Sequence, residues 1–171
     1  MALSTTELRT AVRASISSFV SAYKDATDSK NATILSRCQT PDCMRTIRPK
    51  SMLMTFGLDP EKSEDATTYN ARMAGELSLL TSARANILED SVVIDTEAKR
   101  ASFRSDHYLV LKGQEEVLLE FAWILDFEVV KEEDNLVAKI NHIVEIIDTA
   151  ECVRYVQLMM KVVEEQKARA S

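Results

Sequence analysis

Glycine and proline are scarce in this 171-residue sequence, at three each. Gly57, Gly75 and Gly113 form neither GxGxxG nor GxxxxGK, so there is no phosphate-cradling loop, nucleotide cofactors have no visible seat and no cofactor is expected. Histidine is limited to His107 and His142, and cysteine to Cys38, Cys43 and Cys152. A structural zinc needs about four ligands, and both histidines lie far along the chain from the Cys38–Cys43 pair, so no metal is expected. An odd number of cysteines argues against a disulfide framework, and small buried thiols are the plain reading. As a nucleophile, Cys43 would find its electropositive setting only in part, between Asp42 and Arg45. No stretch of about 18 apolar residues occurs, and MALSTTELRTAVRA lacks an apolar run behind a basic region. Neither a membrane span nor a signal peptide is expected, which points to the cytoplasm. A net charge of −6 and a pI near 5.1 argue against a nucleic-acid partner, whose phosphates need clustered lysine and arginine.

What is present is globular. Hydrophobic residues make up 46% and charged residues 28%, with no low-complexity tract to divide the chain. One domain over residues 1–171 is expected, large enough to enclose a cavity within its core. Leu8, Val12, Ile16, Phe19, Val20 and Tyr23 recur at three and four, with Ser4 or Thr5 available to cap and Glu7 in the first turn. They predict an amphipathic helix over Thr5 to Thr27. A shorter helix is predicted over Asn31 to Arg37, then a brief CMRTI strand stopped at Pro49. The segment from Phe56 to Thr81 begins as a polar loop and becomes a helix after Asp65 to Thr68, an arrangement suited to a lid, with Tyr69, Met73, Leu77 and Leu80 on one stripe.

From Arg84 the period changes to two. ARANILEDSVVIDT, RASFRSDHYLVL, EVLLEFAWILDFEVV and LVAKINHIVEIID predict a four-stranded antiparallel meander, and TAECVRYVQLMMKVVEEQKARA a C-terminal helix. The fold class expected is α+β: a curved antiparallel sheet whose concave face is covered by N-terminal helices, leaving a conical pocket.

Acid and base chemistry is what these residues leave open. In β-alternation Glu120, Ala122, Ile124, Asp126 and Glu128 share one face, and Leu119, Phe121, Trp123, Leu125 and Phe127 the other. Glu120 is either solvated or enters a pocket as a proton carrier with a raised pKa. In INHIVEIID either His142 or Glu145 faces inward, and alternation does not choose. His107 and Tyr108, on opposite faces, are candidate proton donors. Arg37 and Arg48 could clamp a carbonyl or carboxylate through a planar fork.

Arg37, Pro41, Asp42, Cys43, Pro49 and Ser51 in RCQTPDCMRTIRPKSM carry a resemblance that continues through YNARM, EFAWILDF and KINHIVEIID. Over about Arg37 to Asp148 the chain resembles the fungal SnoaL-like proteins of the NTF2-like superfamily, cone-shaped isomerases and cyclases of polyketide, meroterpenoid and indole-alkaloid biosynthesis. The resemblance implies a cofactor-free isomerase or cyclase for a hydrophobic polycyclic metabolite. It implies Arg37 as oxyanion stabiliser, Glu120 or Glu145 as acid or base, and His107 or Tyr108 as second donor. Tyr69, Phe103, Trp123 and Arg48 would shape the substrate pocket, and a homodimer is implied. Where some meroterpenoid members carry acids before the third helix, this chain has Thr67 and Asn70. The alternative is a non-catalytic binding or scaffold protein of the same fold.

Overall fold

Ser4 caps the first helix: its hydroxyl accepts from the Glu7 N–H while the Glu7 carboxylate accepts from the Ser4 N–H, satisfying two otherwise unpaired donors. That helix, α1 (Thr5–Ser29), ends at Lys30 in the left-handed conformation. The structure is a computed structural model that describes residues 4–132 and 135–170. A 3₁₀ turn, Ala32–Ser36, leads into β1 (Gln39–Arg48), followed by α2 (Lys50–Thr55), β2 (Glu64–Asp65) and α3 (Ala66–Leu79). Then come four long strands, β3 (Leu80–Asp95), β4 (Arg100–Leu111), β5 (Glu116–Glu132) and β6 (Asn135–Ile147), and the C-terminal helix α4 (Thr149–Ala170).

The long strands form the expected antiparallel meander within a six-stranded sheet of order β2-β1-β6-β5-β4-β3. The sheet is mixed, because β1 returns to pair parallel with β6. The β1 strand begins earlier than the sequence suggested and includes Pro41. Its register with β6 shifts between Gln39 and Met44, which spares the proline a ladder hydrogen bond it cannot donate. As expected, β1 stops before Pro49. Helix α2 has no counterpart in the sequence reading.

Two apolar clusters fill the concave side unequally. Leu8, Val12, Ile16 and Phe19 of α1 pack on Phe103, Leu125, Phe127, Ile140 and Ile143, closing one end of the cone. At the other end Leu53, Tyr69, Met73, Leu109, Leu119 and Tyr155 line its walls without filling it, backed by Leu77 and Val162. Among the described residues no helix is long and apolar enough to cross a membrane.

Candidate functional site

The unfilled end is a cavity of about 730 Å³, large enough for a drug-sized ligand. Its walls come from α1, α2, α3, α4 and the inward faces of β1, β4, β5 and β6. They are mostly apolar: Met52, Met73, Leu109, Leu119, Phe121 and Ile147, with Val156, Met159 and Val163 from α4. Exposed Leu58, Asp59, Lys62, Glu164 and Lys167 mark the opening, so the loop suited to a lid does border the mouth. A chamber of about 20 Å³, the size of one water, lies deeper between Arg45, Tyr69, Tyr23, His107 and Trp123.

Strand alternation places the charged groups. Cys43, Arg45 and Ile47 share the inward face of β1, and Arg45 is 4% exposed. One Arg45 Nη donates to the Glu145 carboxylate, and the guanidinium lies 3.8 Å from the centre of the Tyr69 ring. Glu145 faces inward because β6 carries a bulge. Asp126 pairs with His142 and Phe127 with Ile140, so Asn141 has no partner on β5. Ala138 and Ile140 point inward before it, Ile143, Glu145 and Ile147 after it.

From α3, Glu76 enters the cavity. Its Oε1 accepts from the Tyr23 hydroxyl and, at 2.9 Å, from the Tyr155 hydroxyl. Burial raises the Glu76 carboxyl above the usual range, outweighing the two tyrosine hydrogen bonds that lower it. On the floor, burial pushes His107 down to about 3, so its ring is neutral. Its Nε2 lies 3.0 Å from Ser105 Oγ, and that oxygen accepts from the Trp123 indole N–H at 2.8 Å. At the rim Arg72 grips Glu64 through two nitrogens, at 3.1 and 2.8 Å. Burial pushes the Cys38, Cys43 and Cys152 thiols up to about 11, which leaves them protonated and poor nucleophiles.

Of the residues singled out from sequence, Tyr69, His107, Trp123 and Glu145 meet in the cavity. Four others lie outside it, as does Phe103. Glu120 is exposed on the outer face of β5, since alternation that sends Leu119 and Phe121 inward must send it outward. Tyr108 is on the same outer face, its ring covered by the Arg84 guanidinium 3.5 Å away. The Arg37 guanidinium is spent on α1, bonding Ser18, Ser21 and Asp25 at the surface. Arg48 donates to the Ile47 and Pro60 carbonyls. Phe103 is buried in the filled end of the cone. Arg45, Glu76 and Tyr155 were missed. Arg45 was detectable from its alternation with Cys43 and Ile47, and Glu76 from its place beside the Tyr69–Met73–Leu77 stripe. Among the described residues no group of three or more His, Cys, Asp and Glu side chains is placed to hold a metal ion.

Neither a protein-family model nor a curated protein sequence matches the chain. Solved structures do. The BvnE pinacolase from Penicillium brevicompactum superposes with a TM-score of 0.70 at 14% identity, covering 92% of this chain and 94% of that one. PrhC from Penicillium brasilianum gives 0.68 at 16% identity, covering 94% and 93%. An NTF2-like protein of unknown function from Burkholderia pseudomallei gives 0.54 at 14% identity, covering 86% and 95%. The chain therefore has the NTF2-like fold, an α+β cone shared with fungal proteins such as BvnE and PrhC.

Proposed function

We propose that the protein is a cofactor-independent isomerase or cyclase that rearranges a hydrophobic polycyclic secondary metabolite by acid–base catalysis. One observation carries this reading: a large apolar cavity holds a carboxyl, Glu76, whose proton affinity is raised and which two tyrosine hydroxyls clamp from opposite helices. A carboxyl whose proton affinity an apolar site raises holds its proton to higher pH and can give it to a ligand oxygen. The Arg45–Glu145 pair supplies, from the small chamber, a cation for an oxygen that gains negative charge, with Glu145, which lines the cavity, as a carboxylate to take a proton back. The role expected of Arg37 thus passes to Arg45, and that of Glu120 to Glu76 and Glu145. Tautomerisation, ring closure and a semipinacol-type shift each need only these groups, and the likeness in fold to a pinacolase supports that class. The working form is a cytoplasmic homodimer, a second copy covering outward-facing Met44, Leu118 and Ile146, which are 39%, 39% and 37% exposed.

The test is incubation of the purified protein, without added cofactor, in D₂O with host extract lacking this one step. A new compound of unchanged formula, deuterated at carbon or rearranged in skeleton, is the expected result. Glu76→Gln should slow its formation by about 10²-fold with the melting temperature little changed. A compound that the protein retains unaltered would overturn the reading in favour of a binding protein.

A further inference from the structure

Ser105 is fully buried on β4, and its hydroxyl meets two partners, the Trp123 indole at 2.8 Å and His107 Nε2 at 3.0 Å. An indole N–H can only donate, so it occupies one lone pair of the serine oxygen. The serine's own proton must then go elsewhere, and among the described residues the other partner of that oxygen is His107 Nε2. If Nε2 instead carried a proton, both bonds would run toward the serine, leaving its O–H and the Nδ1 lone pair of His107 without protein partners. With Nε2 unprotonated, only the Nδ1–H lacks one. Buried polar groups pair wherever they can, and one unpaired group costs less than two.

We infer that Ser105 is a positioning residue: it takes the Trp123 N–H and gives its proton to His107 Nε2, so that a neutral imidazole presents Nδ1–H to an oxygen of the bound ligand. His107 borders both the large cavity and the chamber behind it, and no protein acceptor for Nδ1 is found among the described residues. The ring is fixed from its sides by Phe121, 4.6 Å between centres, and by the edge of Tyr23 at 5.6 Å. Its burial keeps it uncharged. A neutral N–H donor polarises a ketone or ether oxygen without bringing a second cation into an apolar space. The inference deepens the isomerase reading by naming the ligand group that is gripped, an uncharged oxygen acceptor, and rests on that reading only for the consequence in catalysis.

The decisive measurement is the ¹⁵N spectrum of the two histidine rings in labelled full-length protein at neutral pH, with His142→Gln assigning the signals. The expected result is His107 with Nδ1 protonated and Nε2 bare, a severalfold rise of the opposite tautomer in Ser105→Ala, and the original tautomer in Ser105→Thr. A ring protonated on Nε2 or on both nitrogens in the unaltered protein would overturn the inference. So would a tautomer indifferent to Ser105→Ala. If the tautomer is as inferred but the extract assay shows no conversion, the Nδ1–H donor stands and the isomerase reading fails.

Discussion

Arg45 and Glu145 are buried together, their side chains 4% and 12% exposed. Removing one partner strands the other charge away from water. Arg45→Met should cost about 3–5 kcal/mol in urea unfolding, and the double variant Arg45→Met/Glu145→Leu should regain most of it. His107 contributes to the acid limb of stability. Its folded pKa is depressed, so the unfolded chain takes up a proton first as pH falls. The stability it contributes is present above about pH 6.5 and is lost toward about pH 3, at up to roughly 1.4 kcal/mol per pH unit. Glu76 acts oppositely: with its folded pKa raised, its contribution is full below the ordinary carboxyl range and fades as pH rises through the folded value. On going from about pH 7 to about pH 5, urea stability should therefore fall in the unaltered protein by more than it does in His107→Leu, where only the opposite Glu76 contribution is left and stability holds or rises. At this scale the sequence was half legible. Alternation placed Trp123 on the apolar face it occupies and set His107 and Tyr108 on opposite faces without choosing the inward one, and although Glu76 sits beside a legible stripe, the convergence of three helices on it is recorded by no local pattern.

Strand β6 shows how one residue directs an element. Asn141 lies opposite no residue of β5, and across it the inward set passes from even to odd numbers. Alternation read straight through INHIVEIID could not choose between His142 and Glu145, since the two halves of the strand obey different parities. Deleting Asn141 would restore a single parity and turn one half outward. The expected outcome is loss of the cooperative melting transition followed by circular dichroism, whereas Asn141→Ala, which keeps the residue count, retains it. The helices were easier to read, because the capping box of α1 and the stripes of α1, α3 and α4 are periodic over many residues. Strand β1 was harder, its proline signalling a break that the parallel pairing with β6 absorbs as a register shift.

As a whole, the α+β cone was legible because a helix-first, strand-later order with a strongly apolar sheet leaves few ways to bury that sheet. Which end of the cone stays hollow was not, since it depends on where α1 stops filling the concave face. The outer face carries the prediction for assembly. Multi-angle light scattering should give twice the 19.2 kDa chain mass, and Ile146→Glu, on that face, should shift the mass toward one chain. Trp123, the sole tryptophan, lies on the cavity floor with its indole nitrogen bonded to Ser105 and its ring stacked 5.0 Å from Phe121. The molecule thus has a built-in lamp on the floor of its cavity. Its emission colour and intensity will change when that floor is covered, so a metabolite library can be sorted by light alone before any product is known.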